Sequence, residues 1–250
     1  MMKKLKTTFF FAVFTFVALS MSAQEKYILR ANPDVTKKIT QNLVSLIELD
    51  FNGKKVVTDF TIKFDMTNTA KKDSLFLCDV ICTEIKLNVN TNGTNMSYDS
   101  KKPMSNETSK QMHTIFGKLI NKSINFSLNQ LGSVSNITLP EEIDFPFEKS
   151  IYIATELPEH EISIGDSWIA KGIEEQSGAV TESKMTLLEV NDQGYKINVE
   201  GKKLSKDSSQ IGHTRGFCVL DKKTCLTKII DLTSEVTVLD SKMKTVIKYF

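Results

Sequence analysis

From residue 41 to residue 66 the chain alternates apolar and polar positions about an Asn52-Gly53 pair. In the stretch Phe60-Thr-Ile-Lys-Phe-Asp-Met66, Phe60, Ile62, Phe64 and Met66 fall on one face. Asp59, Thr61, Lys63 and Asp65 fall on the other. A period of two marks a half-buried strand. Asn-Gly favours a type I′ hairpin turn, because both central residues need φ > 0. With that turn, Phe51 pairs with Lys54, Leu49 with Val56, Ser45 with Phe60 and Leu43 with Ile62. Opposed residues share a face, so Leu43, Ile47, Leu49 and Phe51 join Val56, Phe60 and Ile62 on one apolar side. Turn chemistry and patterning predict the same register.

Strand-like alternation fills most of the remaining chain. Tyr27-Ile-Leu-Arg30 opens it. A long strand runs from Leu75 to about Asn90. Its odd face carries Leu75, Leu77, Ile81, Ile85, Leu87 and Val89, and its even face starts apolar with Phe76, Cys78, Val80 and Cys82. The stretch 91–103 reads as a polar loop. A helix is expected over 105–120, where Met112, Ile115, Phe116, Leu119 and Ile120 recur at helical spacing. Ser105 or Thr108 would cap it, and its apolar stripe would lie on a sheet. A hairpin about Gly132 follows. Residues 139–161 hold Pro140, Pro146 and Pro158 and read as a connector. From Ile162 the pattern resumes, with turns at Asn191–Gly194, at Asp221–Thr224 and near Asp240-Ser241.

The expectation is a mainly β protein. Long antiparallel meanders form curved sheets, as a half-barrel or a sandwich. Two related halves, 24–138 and 162–250, flank the connector, and one amphipathic helix sits in the first half.

The beginning of the chain changes where this fold is expected to reside. Lys3, Lys4 and Lys6 precede an apolar run from Phe9 to Leu19, and Ser20-Met-Ser-Ala23 follows. This is the layout of a signal peptide over 1–23, cut after Ala23 or after Ser22. The run is short for a membrane span, and no later stretch is long and apolar enough to be one. The mature protein is expected to be exported, to a periplasm or beyond. The formal net charge of +2 falls by three with the leader, leaving a near-neutral chain with no field to gather nucleic acid. The four cysteines permit disulfides in an exported protein. Cys78 and Cys82 lie on one strand face about 13 Å apart at about 3.3 Å per residue, too far to bond. Cys218 and Cys225 flank a turn. They read either as a pair that approaches or as buried thiols.

Several short motifs have a family likeness. They are Tyr27–Arg30, Tyr98-Asp-Ser100, Phe116-Gly-Lys-Leu-Ile120 before Gly132, Leu157-Pro-Glu, Ile164-Gly-Asp-Ser-Trp168 and the Asp221-Lys-Lys-Thr turn. Together they resemble exported β-rich bacterial proteins of the domain-of-unknown-function family 6263. The resemblance implies an exported β-rich protein and supplies no activity, ligand or catalytic residue. The family often has Gly at the position of Cys225. A left-handed backbone would strain a Cys, so this turn is expected to differ here.

Catalytic motifs are missing from the sequence: no nucleophile elbow, no zinc-protease helix motif, no phosphate-binding loop and no dinucleotide fingerprint. His113 reads as a partly exposed helix residue, and His160 as a solvated loop residue among acids. His213 and Arg215 share a strand face that would suit an anionic group, and they read more simply as sheet surface. Asp79 lies on an apolar face, so it is expected at a bulge or edge or beside a cation. Trp168 is expected to anchor the second core. Six Asn-x-Ser/Thr sequons carry little weight in a bacterial protein.

These features suggest a non-catalytic exported protein with no cofactor and no bound metal. One reading is a concave sheet that takes a lipid or another apolar small molecule, lined by Phe60, Ile62, Phe64, Ile81, Ile85, Ile115 and Phe116. The other is an envelope protein that presents sheet edges or the 91–103 loop to protein partners.

Overall fold

The first hairpin pairs as the turn predicts. β1 (Lys38–Phe51) and β2 (Lys54–Lys72) oppose Phe51 to Lys54, Leu49 to Val56, Ser45 to Phe60 and Leu43 to Ile62. The computed structural model describes residues 25–250 except 52, 103, 105, 141–155, 174–178, 239 and 240, with the backbone alone at 173 and 238. The stretch read as a signal peptide and most of the stretch read as a connector therefore lie outside the described residues.

Hairpin follows hairpin through the chain. β3 (Leu75–Thr91), β4 (Thr94–Asp99), α1 (Glu107–Phe116), β5 (Ser123–Asn129) and β6 (Val134–Thr138) complete the first meander. β7 (Ser167–Ile173), β8 (Val180–Asn191), β9 (Gly194–Leu204), β10 (Gln210–Leu220), β11 (Thr227–Val238) and β12 (Ser241–Tyr249) form the second. β1 also pairs with β12, from Leu43↔Tyr249 to Asp50↔Lys242. The result is one sheet of twelve antiparallel strands, ordered β6-β5-β3-β2-β1-β12-β11-β10-β9-β8-β7, with β4 beside β5 on β3. Among the described residues β6 and β7 end this order, β4 pairs with β3 alone and leaves a further free edge, and the sheet does not close.

One face of both meanders meets in a single core. Phe64, Met66, Phe76, Phe126 and Leu128 pack with Trp168, Leu187, Ile197, Leu220, Ile230 and Tyr249. Only a sheet that curves over its own face brings these strands together. A strap seals this end. Leu29 and Ala31 are buried. Tyr27 bridges Ile162, Ala31 N–H donates to Gln130 O, and Asn32 N–H donates to Thr224 O. The strap thus ties one meander to the other. Leu29 comes from the Tyr27–Arg30 stretch that the sequence reads as an opening strand, and Ala31 follows it. Only one isolated bridge forms there, because the alternation buries every second residue under the sheet's end rather than in a ladder. Trp168 is buried and donates its Nε1–H to Glu156 O at 2.9 Å; it anchors the core that the two meanders share and not a separate second core.

Three local expectations change. First, β3 does not keep one odd apolar face. Lys63 opposes Glu84 but Phe64 opposes Cys82, so Thr83 is an extra residue. That bulge moves the phase by one. Phe76, Cys78, Val80 and Cys82 face the core before it, and Ile85 and Leu87 after it. Asp79 is consequently on the outer face, where it accepts a hydrogen bond from the Ser123 hydroxyl. Second, the stretch read as a polar loop contains β4. Asn92 and Gly93 have φ of +48° and +88° and turn the chain so that Tyr98 is buried opposite Leu87. Third, the helix is shorter than 105–120. Asn106 caps it in a reciprocal box with Ser109, and Gly117–Leu119 tightens into a 3-10 turn.

The Asp221 turn keeps its left-handed residue. Cys225 has φ +52°, a conformation that costs an L-residue about 1–2 kcal/mol. Asp221 compensates: its carboxylate accepts from Lys223 N–H, Thr224 N–H and the Thr224 hydroxyl at 2.9–3.0 Å. Burial pushes the Asp221 carboxyl up, but these donors outweigh it and hold the group below the usual carboxylate range. The expectation that a Cys here alters the turn is therefore corrected.

All four cysteines are buried, and no disulfide joins them. Burial raises the thiols of Cys78 and Cys82 from the ordinary 9.0 to about 11. The nucleophile is the thiolate, so a thiol-reactive disulfide reagent at pH 8 is expected to label the native protein far more slowly than the unfolded one. Rapid native labelling of Cys78 or Cys82 would contradict the packing. A raised thiol pKa favours the fold below the unfolded value. Stability is therefore expected to decline as pH rises from about 9 toward about 11.

Candidate functional site

Away from the sealed end the inward face of the sheet changes character row by row. One row runs Ile85, Ile62, Leu43, Tyr249, Ile230, Cys218, Ile197 and Leu187, apolar throughout. Two rows nearer the hairpin tips, Thr58, Ile47, Thr245, Ser234, Thr214 and Gly201 oppose one another. All are partly exposed, and the Thr214 hydroxyl donates to Ser234 Oγ at 3.1 Å. The core thus fills one end of the curved sheet and gives way to small hydroxyl-bearing residues.

Beyond that row lies a trough of about 930 Å³ across β2, β1, β12, β11 and β10. Val56, Leu49, Met243 and Val236 line it, and they are opposed in register on one face. Val236 is buried, while Met243 is 37 % exposed. Gly212 extends the row on β10. A Cβ there would stand 2.6 Å from Glu235 O, so the absence of a side chain lets β10 approach β11. Lys55, Asp50 and Lys242, with Glu48, Lys244, Glu235 and His213, also border it, from strand positions that alternate with the apolar row and belong to the opposite face. Charges of both signs alternate from strand to strand, which favours cross-strand pairing over a net field. His213 Nε2 lies 3.7 Å from Glu235. It is an exposed sheet residue, as the sequence suggests.

The seven predicted lining residues do not gather around one cavity. Phe64 is buried in the main core, its ring 6.0 Å from that of Tyr249. Ile85 is fully buried in a second cluster with Cys82, Leu87, Tyr98 and Leu119. Phe60 and Phe116 pack against this cluster with their rings 5.9 Å apart. Ile62 touches both clusters. Helix α1 therefore meets the Phe60 face directly. Ile81 falls on the outer side of the bulge, opposite to Ile85. Ile115 is 53 % exposed. It lies on the helix stripe but off the contact side, because Phe116 and Met112 take the sheet. Gly117 lets the His113 ring lie against its backbone, and His113 Nδ1 is 3.0 Å from the Tyr98 hydroxyl.

The trough residues themselves escape sequence reasoning as a set. Leu49 and Val56 are apparent as a hairpin pair, and Met243 belongs to another alternating strand. Their union depends on the β1–β12 pairing, for which no local turn exists. Val44 and Leu46 in β1 and Val246 in β12 also place apolar residues on the opposite parity, so no clean alternation marks the two strands as partners.

No group of three or more potential metal-ligating side chains occurs among the described residues, and no helix there is long and apolar enough to cross a membrane.

Comparison with known proteins places a segment of the chain. Residues 73–144 match a family of unknown function, DUF6263. This is the family that the short motifs resemble, and the matched segment contains Tyr98–Ser100, Phe116–Ile120 and Gly132. No curated protein matches the chain. Three solved structures show distant similarity. A structure described as lipid–protein interactions in lipovitellin is 8% identical with a TM-score of 0.35. It covers 88% of this chain, which spans only 25% of that one. A DUF1329 family protein from Desulfovibrio piger is 9% identical over 87% of this chain and 85% of its own, with a TM-score of 0.30. A putative outer membrane lipoprotein-sorting protein domain from Vibrio parahaemolyticus is 6% identical over 84% and 85%, with a TM-score of 0.28. At these scores they place no site and carry no ligand across.

Proposed function

We propose that this protein is an exported, non-catalytic binding protein that takes a lipid or another apolar molecule on its open sheet. The observation that supports this reading is the trough of about 930 Å³ with its Val56–Leu49–Met243–Val236 row. Its size falls in the range of small-molecule sites, about 300–1,000 Å³. Its apolar residues belong to the same face as the core, so a ligand there would extend the core toward the hairpin tips. Export rests on the basic start, short apolar run and small residues of the leader.

The test is titration of the mature protein with 1-anilinonaphthalene-8-sulfonate, followed by fluorescence. Saturable enhancement is expected, and it should fall about tenfold in Met243→Asp, a loss of about 1.4 kcal/mol in binding. Met243 is partly exposed, so that variant should melt with the parent. Enhancement that does not saturate, or that Met243→Asp leaves unchanged, would overturn the reading.

The open edges at β6 and β7 favour a second reading, an envelope module that pairs with another protein through a strand. Purification from the native host separates the two. Extractable lipid supports the first, and a stoichiometric protein partner without lipid supports the second.

A further inference from the structure

The outer face of the first meander holds a second cavity, of about 380 Å³. Its floor is a grid of side chains on β2, β3 and β4. Asp59, Asn88 and Ser97 are opposed in one row, and Thr61, Lys86 and Asp99 in the next. Lys102, Met104 and Asn106, from the segment that leads into α1, and Ser109 in its first turn close one side.

Charge and hydrogen-bonding capacity separate this cleft from a simple ion site. Two carboxylates face two ammonium groups, so no net charge selects an anion or a cation. The cations are also engaged: Lys86 Nζ is 2.5 Å from Glu84, and Lys102 Nζ is 3.5 Å from Asp99. By contrast the side chains of Asp59, Thr61, Asn88 and Ser97 have no hydrogen-bond partner among the described residues. They offer a carboxylate acceptor, an amide that both donates and accepts, and two hydroxyls, on neighbouring positions of the pleat. Beside them Met104 is 44 % exposed, an apolar thioether at the rim of a polar cleft.

A ligand that satisfies all of this is uncharged, dense in hydroxyl groups and apolar along one side. We infer that the β2–β3–β4 cleft binds a neutral saccharide. The Asp59–Asn88–Ser97 row would hydrogen-bond its hydroxyls, and Met104 would pack on the C–H face of a ring. This goes beyond the trough, which lies across other strands and takes an apolar molecule.

The experiment is a titration of the ¹⁵N-labelled mature protein with cellobiose, chitobiose and maltose, followed by amide chemical shifts. At least one disaccharide should move the Asn88, Ser97 and Asp99 amides along saturable curves with Kd on the order of 1 mM. The double variant Asp59→Ala/Asn88→Ala should weaken that binding about tenfold or more. Its melting temperature should match the parent, because neither side chain bonds within the protein. Three outcomes would overturn the inference. They are no saturable shift with any of the three sugars, shifts that persist unchanged in the double variant, and a response to galacturonic acid alone.

Discussion

Gly216→Ala abolishes or severely weakens folding of the second meander. Gly216 has φ +147°, and a Cβ there would lie 2.0 Å from Asp231 O and 3.0 Å from Leu232 Cα. The obstacle is backbone, and that backbone has no room to retreat. Asp231 and Leu232 pair with β10 on one side and with Lys248 and Ile247 of β12 on the other. A methyl group must therefore push adjacent strands apart in the middle of the sheet or break the ladder. Single substitutions usually cost about 0.5–3 kcal/mol, and losses above about 4 kcal/mol mark such forced steric conflicts. Denaturant unfolding should show a loss of about 4 kcal/mol or more, or the variant should fail to accumulate folded. Gly172→Ala supplies the control. Nothing lies within 4 Å of a Cβ at that position, so its effect should stay within about 0.5 kcal/mol. Equal stability of the two variants would show that β10 and β11 do not pack as described.

The position of Gly216 shows where sequence reading stops. A Gly within an alternating strand suggests a bulge or close approach, but not which neighbour approaches. The same limit governs the larger errors. The first hairpin is legible because two independent local signals, Asn52-Gly53 and the Phe60–Met66 alternation, predict one register. The β3 face is misread because residues on both sides of the Thr83 bulge are apolar. Ile81 and Ile85 share parity, and only the mismatch Lys63↔Glu84, Phe64↔Cys82 separates them. β4 hides among Thr, Asn and Ser, and its two inward residues, Met96 and Tyr98, form too short a pattern to stand out. Helix α1 is legible as an amphipathic element. Which residues of its stripe meet the sheet is decided by Phe60 and Tyr98 on other strands, so Ile115 is assigned to the contact wrongly. The trough is the extreme case. Leu49 and Met243 become neighbours only through β1–β12, a pairing of distant segments with no turn to announce it.

That pairing sets the second large effect, at Tyr249. The residue is 1 % exposed. It sits opposite Leu43 on one side and Ile230 on the other, at the seam between the meanders, with the Phe64 ring 6.0 Å away. Tyr249→Ala would open a cavity where both halves depend on one side chain. A loss of about 3–5 kcal/mol is expected, as for large aromatic truncations in cores. The hydroxyl is a separate matter. Neither it nor Gln41 Oε1 has a hydrogen-bond partner among the described residues, while Gln41 Nε2 donates to Thr227 O at 3.2 Å. Burial pushes the phenol well above its usual range, and only the neighbouring Gln41 pulls the other way. A buried polar group without a partner costs about 1–3 kcal/mol. Tyr249→Phe removes that cost and keeps the ring, so it should be at least as stable as the parent, by up to about 1 kcal/mol. Thermal and denaturant unfolding of the two variants side by side separate packing from hydrogen bonding. If Phe proves as damaging as Ala, the seam is held by the hydroxyl and not by the ring. If Phe is neutral or stabilising while Ala collapses the fold, the two meanders are joined by apolar contact across β1 and β12, and the same apolar face continues from Tyr249 to Met243 in the trough.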